Sequence, residues 1–287
     1  MNVLLTKGFE DYELLDSGNS KRLERFGRYV ISRPDPQAIW KQKKDSSFWE
    51  KADAIYEQNG KFGKWNNKNK VPDKWLIRYK KLCFYCRLTP FKHTGVFAEQ
   101  SINWDFIEEK ISSESQKVNV LNLFGYTGIS SLVAAASGAL VTHLDASKPA
   151  ITWARENQKA SGLSDKPIRW ILDDAIKFVQ REIKRGVKYD AIIMDPPIYG
   201  HGPEGERWDF NESFPKLVEL CRKVLSNNPL FFIVNAYAIS SSSIMLDNVL
   251  KDHLSDLKGN FEYGELALGE KDGERLLSTG IFARWSR

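Results

Sequence analysis

From residue 118 to residue 235, short apolar runs alternate with longer segments whose apolar positions recur every three or four residues. The runs 118–123, 140–144, 168–172, 189–194 and 230–235 are rich in Val, Ile, Leu and Phe and predict strands. The segments 129–138, 148–160, 176–185 and 214–225 predict helices, and Gly162 and Gly186 stand where two of them should stop. Strands alternating with helices predict an α/β fold, a mostly parallel sheet covered on both faces. The rhythm changes at the end. Residues 261–268 and 277–285 predict two strands joined by the charged, glycine-bearing stretch 269–275, which makes an antiparallel hairpin.

The first third reads differently. Residues 12–15 and 27–32 are short strand-like pieces, and Asp16-Ser17-Gly18-Asn19 between them is turn chemistry. Arg33-Pro34-Asp35-Pro36 stops the second piece, and 37–40 predicts a helical turn or loop. Residues 75–88 again have strand composition. The expected division is a small β-rich domain over 1–89 and an α/β domain over 90–287. A helix is predicted over 101–111 from the spacing of Ile102, Phe106, Ile107 and Ile111.

Charge sharpens that division. The net charge is +5, yet residues 1–92 carry 20 basic and 11 acidic side chains and the rest carry 22 and 26. A basic module joined to a mildly acidic one fits a polyanionic partner, or simply a well-solvated surface. The most cationic polar stretch is 60–70, with Lys61, Lys64, Lys68 and Lys70 around Trp65. Two readings stand: lysines on phosphates with aromatics stacked on bases, or a hairpin with aromatics inward and lysines in water.

Three cysteines make no disulfide scaffold. Cys83 and Cys86 form a C-x-x-C, but a structural zinc needs four ligands and only His93 is near, so no metal is expected. His93 is a candidate general base, though a lone histidine is more often structural. No apolar run reaches the ~18 residues of a membrane span, and residues 1–7 are too short and too polar for a signal peptide. The expectation is a soluble cytoplasmic protein.

The chemistry-bearing stretch is 118–131. A strand ends in Phe124-Gly125-Tyr126-Thr127-Gly128, and a helix begins at once. In open α/β sheets a ligand sits beyond the carboxyl end of such a strand. The next strand ends at Asp145, about 20 residues on, where an acid can accept hydrogen bonds from both hydroxyls of a ribose. The following two strands end at Asp173-Asp174-Ala175 and Asp195-Pro196-Pro197. An acid after a buried strand is costly unless it is paired or used.

Asn122 through Gly128, then Asp145-Ala146-Ser147, Asp173-Asp174-Ala175 and Asp195-Pro196-Pro197, together resemble the ordered motifs of class I S-adenosylmethionine-dependent methyltransferases. Within that class the chain is most similar to the methyltransferases of large-subunit ribosomal RNA, and the motif match covers about residues 90–287. The resemblance implies a Rossmann-like methyltransferase sheet with a reversed last strand, S-adenosyl-L-methionine as cofactor, and RNA as partner. It implies cofactor contacts at Phe97, Gln100, Asn122, Phe124, Gly125, Tyr126, Thr127, Gly128, Asp145, Ala146, Ser147, Asp174 and Ala175. Phe124 to Gly128 would wrap the methionine part, Asp145 the ribose, and Asp174 the adenine amino group. Asp195, Pro196, Pro197 and Tyr199 would border the methyl group and the target base.

Two departures shape the expected chemistry. The aromatic residue after the diproline is Tyr199, one place later than in adenine-amino methyltransferases, because Ile198 intervenes. The strand 233–237 carries no cysteine where cytosine-C5 enzymes keep their nucleophile, so a nitrogen acceptor is expected. The glycine-rich segment 200–208 is expected to close over substrate. Other readings are a protein or small-molecule methyltransferase, a non-catalytic RNA-binding relative, and a nicotinamide dehydrogenase. The last is weakened because the turn lacks G-x-G-x-x-G.

Overall fold

The computed structural model describes residues 1–59, 62–67, 69, 71–237 and 241–287. They form two compact units, one of 1–4, 102–266 and 279–287, the other of 5–101 and 267–278.

The second unit begins as an antiparallel meander. Strands β2 (Tyr12–Gly18), β3 (Lys21–Phe26) and β4 (Tyr29–Pro34) follow β1 (Asn2–Leu5), whose strand belongs to the larger sheet described below. Asn19 and Ser20 both take positive φ, which closes the β2–β3 turn with the right twist. Helix α1 (Ser46–Glu50) leads to β5 (Ala54–Asn59) and β6 (Phe62–Asn67), which complete a five-stranded sheet in the order β2-β3-β4-β5-β6. The single predicted strand over 75–88 is two, β7 (Trp75–Tyr79) and β8 (Leu82–Cys86), hinged at Lys80 with φ 51°. Cys86 is buried and Cys83 half-buried.

The tryptophans of this unit are committed inward. Trp40 donates its indole N–H to Ser17 O at 3.0 Å, Trp49 to Asp16 Oδ2 at 3.0 Å, Trp65 to Thr89 O at 2.7 Å and Trp75 to Phe26 O at 3.1 Å. Of the two readings of 60–70, the packed hairpin therefore fits Trp65. Lys64 is exposed on β6, and Lys61, Lys68 and Lys70 lie outside the described residues.

The first unit holds the larger sheet. Helix α2 (Ser101–Ser112) precedes β9 (Asn119–Leu123), α3 (Ile129–Ala136), β10 (Leu140–Asp145), α4 (Lys148–Ala160), β11 (Ile168–Leu172), α5 (Ala175–Lys184) and β12 (Ala191–Met194). Then come β13 (Tyr199–His201), β14 (Arg207–Asp209), α6 (Phe210–Val224), β15 (Phe231–Ala236), α7 (Ser243–Leu254), β16 (Asn260–Gly269) and β17 (Leu276–Ser286). The eight strands run in the order β1-β16-β17-β15-β12-β9-β10-β11. Strands β11, β10, β9, β12 and β15 pair in parallel, and β17 pairs antiparallel to β15. This is the mostly parallel sheet with a reversed end that the strand pattern predicts.

Helices start where side chains cap them. Ser147 Oγ accepts from Ala150 N, Asp174 Oδ1 from Lys177 N, and Asp209 Oδ1 from Asn211 N and Glu212 N. The Asp209 cap explains why α6 begins at Phe210, four residues before its predicted start. Helix α6 buries Phe210, Phe214, Leu217, Val218, Cys221 and Val224 against Leu121, Leu123, Ile192, Met194, Phe232 and Val234, alternate residues of three strands. Each large apolar side chain so buried contributes about 1.5–3 kcal/mol. Helix α7 is absent from the sequence reading. Its signals were the Ser242 cap and the spacing of Leu246, Leu250 and Leu254.

Candidate active site

Strand register decides where the motifs meet. Leu123 pairs with Leu144 on one side and Met194 on the other, and Met194 pairs with Val234. The next residue on each strand therefore forms one transverse row: Asp145, Phe124, Asp195 and Asn235. Backbone bonds continue the row, from Gly125 N to Leu144 O at 3.0 Å and from Asp195 N to Leu123 O at 3.4 Å. Asp145 and Asp195 flank the glycine turn, two strands apart, which is about 10 Å at ordinary strand spacing. Asp173 N bonds Asp145 O at 3.3 Å, so the third acidic motif joins the same edge.

The turn is tight and partly strained. Phe124 and Tyr126 hold φ of 56° and 48°, and Gly128 holds 83°. Side chains rarely adopt that region, and such strain collects at ligand sites. Gly125 is demanded by contact rather than by φ. A Cβ there would lie 2.3 Å from Cε1 of His143, which fills the space beneath. The turn is tied from outside as well: Asn157 Nδ2 donates to Thr127 O at 2.9 Å.

Asp145 organises the turn. Its Oδ2 accepts from Tyr126 N and its Oδ1 from Ser147 N, both at 2.8 Å. Each carboxylate oxygen has two lone pairs, so acceptor capacity remains for a pair of hydroxyls. Burial raises its pKa, and the backbone N–H groups of Ser147 and Tyr126 oppose that rise. Asp174 caps α5 with Oδ1, while its Oδ2 makes no hydrogen bond among the described residues. Ala175 is buried behind it, Ala146 is half-buried and Ser147 exposed. Asp195 is half-buried, Pro196 buried, and Pro197, Ile198 and Tyr199 exposed.

Several participants were not legible in advance. Segment 200–208 is no open loop but the antiparallel hairpin β13–β14. Trp208 donates its indole N–H to Pro197 O at 2.6 Å and packs on Phe124 with ring centroids 4.8 Å apart. Lys177 on α5 pairs with Glu204 at 3.1 Å and with Glu206, holding the hairpin's tip. Beneath the turn, Asn122 Nδ2 donates to Ser131 Oγ, and the Ser131 hydroxyl hydrogen-bonds His143 Nδ1, both at 2.9 Å. The His143 ring packs on Trp170 with centroids 4.7 Å apart. Burial pulls the His143 pKa down to about 3, so the ring stays neutral. Asn103 Nδ2 donates to Asn235 Oδ1 at 2.9 Å, fixing α2 at the end of β15. The only sequence signal for these was polarity within apolar runs.

The remaining candidates lie elsewhere. Phe97 and Gln100 belong to the second unit, at the start and end of a short 3-10 turn closed by Gln100 N on Phe97 O at 3.1 Å. His93, in the same unit, stacks on Phe97 at 5.3 Å. Burial, with Arg33 and Lys92 beside it, lowers its pKa to about 3, which makes it a weak base near neutrality. Cys221 is buried inside α6, and burial drives its thiol well above the ordinary range. Among the described residues no group of three His, Cys, Asp or Glu side chains stands where it could hold a metal, and no helix is long and apolar enough to cross a membrane.

A parallel sheet whose carboxyl edge carries a glycine turn, an acid on one neighbouring strand and an Asp-Pro-Pro corner on the other defines the Rossmann-like class, in which ligands bind beyond that edge. Residues 60–255 match the S-adenosylmethionine-dependent methyltransferase family, about two thirds of the chain, and the chain belongs to that family. It is an enzyme of that kind, and its cofactor is S-adenosylmethionine. The crystal structure of a SAM-dependent methyltransferase from Agrobacterium tumefaciens superposes with a TM-score of 0.96 at 41% identity, over 100% of this chain and 93% of that one. A SAM-dependent methyltransferase structure from Streptococcus mutans shares the fold, with a TM-score of 0.74 at 17% identity over 97% of this chain and 76% of that one. Among curated relatives, the ribosomal RNA large subunit methyltransferase K/L of Shewanella frigidimarina is 31% identical over 181 residues, 60% of this chain and 24% of its own length. The large subunit methyltransferase K of Neisseria meningitidis is 24% identical over 199 residues, 69% of this chain. The chain thus spans about a quarter to a half of the curated relatives it matches.

Proposed function

We propose that this enzyme methylates a nucleotide base in ribosomal RNA, at a nitrogen. The observation that carries the reading is the single row of Asp145, Phe124 and Asp195, which would set a ribose-gripping acid and a base-facing acid on either side of one turn. The relatives named for ribosomal RNA support the substrate, as does the basic excess of residues 1–92, which we assign to RNA binding by a domain over 1–89. A ribosomal RNA substrate places the enzyme in the cytoplasm.

The residues fit the cofactor. Gly125 leaves no side chain over the turn, Asp145 keeps spare acceptors, and Asp174 keeps Oδ2. Asn122, Phe124, Gly125, Tyr126, Thr127 and Gly128 would hold the methionine part, Asp145 with Ala146 and Ser147 the ribose, and Asp174 with Ala175 the adenine. Bound S-adenosylmethionine supplies a methyl group already activated on sulfur. The protein's own task is to place the acceptor in line and exclude water.

Asp195 would accept a hydrogen bond from the acceptor's N–H, turning its lone pair toward the donor. Pro196 and Pro197 would present backbone carbonyls rigidly, since neither has an N–H to turn inward. Tyr199 would support the flat base. No thiolate route is supported: Cys221 is buried and its thiol is held protonated.

The test is transfer of labelled methyl to bulk RNA and to bulk protein, followed by mapping of the modified nucleotide. Label in RNA, lost in Asp195→Ala while S-adenosylmethionine still stabilises the variant, is the expected result. Label in protein alone overturns the substrate reading, and stabilisation by NAD alone overturns the site.

A further inference from the structure

The two-stranded ribbon β13–β14 has two faces. Its register pairs Tyr199 with Asp209, Gly200 with Trp208, and His201 with Arg207. Side chains alternate along a strand and directly paired residues share a face. Gly200 and Trp208 therefore face inward, and Trp208 is indeed buried with 4% exposure. Tyr199, His201, Arg207 and Asp209 make up the outward face. Tyr199 and His201 meet edge to face at 5.3 Å, and the Arg207 guanidinium stands 5.8 Å from the Tyr199 ring centre.

We propose that Arg207 and His201 form a phosphate clamp, which grips the backbone of the single-stranded RNA whose base rests on Tyr199. This rests on the RNA reading above and names the surface that would read the strand beside the reacting base. Four observations support it. The face starts two residues after Pro197, so it borders the reacting corner by chain connectivity. Arg207 keeps 63% of its side chain exposed, and its ion pair with Asp209 Oδ2 is long, at 3.9 Å, while Asp209 Oδ1 caps α6. The two acids at the ribbon's tip, Glu204 and Glu206, share Lys177, which offsets one of their two negative charges. The ribbon is also held in place, by Trp208 on Pro197 O and by Phe210 N on Ile198 O at 2.9 Å.

The chemistry matches one ligand class. A guanidinium offers a planar fork of donors to phosphate oxygens, imidazole adds a donor, and an aromatic ring beside them takes a base. The fork would also take a carboxylate, and labelling of protein in the experiment below is the outcome that favours that partner.

The experiment uses the full-length enzyme with unmodified, in vitro transcribed large-subunit ribosomal RNA. Its variants are Arg207→Ala, Arg207→Lys and His201→Ala. Arg207→Ala is expected to raise KM for RNA about tenfold, with kcat and S-adenosylmethionine affinity nearly unchanged. It should also lower the slope of log affinity against log salt by about 0.7, the value for one phosphate contact on a single strand. Arg207→Lys should restore the salt slope and only part of the KM. His201→Ala should act in the same direction but more weakly. If the wild-type enzyme methylates this RNA and Arg207→Ala keeps its KM and salt slope, the clamp is wrong and the RNA reading stands. A fall in kcat alone, with KM and slope intact, also overturns the clamp. If the wild-type enzyme labels protein and no RNA, both fall together.

Discussion

Trp208 donates its indole N–H to the carbonyl of Pro197 at 2.6 Å, across a span of eleven residues. The same ring rests on Phe124, so one side chain joins the glycine turn to the Asp-Pro-Pro corner. The glycine turn and the Asp-Pro-Pro corner are thereby held by one aromatic bolt.

Removing that bolt in steps separates its roles. Trp208→Phe keeps a ring on Phe124 and loses the hydrogen bond, a cost of about 1 kcal/mol. Thermal denaturation should show a Tm lower by about 2–4 °C. Methyl transfer should slow more than S-adenosylmethionine affinity weakens, because the acceptor corner loses its anchor. Trp208→Ala should cost about 3–5 kcal/mol through the cavity it leaves. Equal loss of kcat and cofactor affinity in Trp208→Phe would show that the indole N–H does not position the corner.

Within the glycine turn, Gly125 is closed to substitution by contact. A Cβ would lie 2.3 Å from the buried His143 ring. Gly125→Ala should destabilise the protein by about 1–3 kcal/mol and abolish detectable cofactor binding by calorimetry. Gly125→Ala combined with His143→Ala should recover part of the stability. Failure of that rescue would move the cause from the ring to the backbone.

His143 predicts a pH dependence of folding. The unfolded imidazole takes a proton near 6.5, the folded one only at about 3. Between those values the unfolded state binds one more proton, so stability present above pH 6.5 drains as pH falls, by roughly 1.4 kcal/mol per pH unit. Urea melts of wild type and His143→Gln, compared from pH 7 to pH 4, should show a shallower acid slope in the variant. Parallel slopes would mean that the ring takes up its proton inside the fold.

A second acid-sensitive element lies in the other unit. Glu24 is fully buried, where desolvation alone would raise its pKa. Arg22 at 3.3 Å, Arg33 at 2.6 Å and the Tyr12 hydroxyl at 2.8 Å reverse that and hold it at about 2. Its stabilisation is complete above the ordinary carboxyl range near 4.5 and is lost as pH falls from there toward 2. Glu24→Gln leaves the buried Arg33 guanidinium without its carboxylate and Arg22 with Asp35 alone, at 3.6 Å, and should cost about 3–5 kcal/mol at neutral pH. Circular dichroism melts at pH 7 would register this; a cost below 1 kcal/mol would mean that water reaches the arginines.

The sequence by itself determined the elements and the order of the motifs. Apolar runs ending at Leu123, Asp145, Leu172 and Met194, the first three followed directly by a helix, need only local periodicity to be recognised, and the helix caps are local too. It also held the identity of the turn, since Gly125 and Gly128 are written into the strand's end. Three things were decided by the tertiary structure. Register between strands distant in sequence put Asp145, Phe124 and Asp195 in one row, and one residue of slip would have turned their neighbours to the other face. The folding of 199–209 into a ribbon came from Trp208 finding Phe124 and Pro197, a contact that composition does not announce. Burial alone made His143 a neutral prop for Gly125, because a pKa belongs to an environment and the environment exists only once the sheet has closed around it.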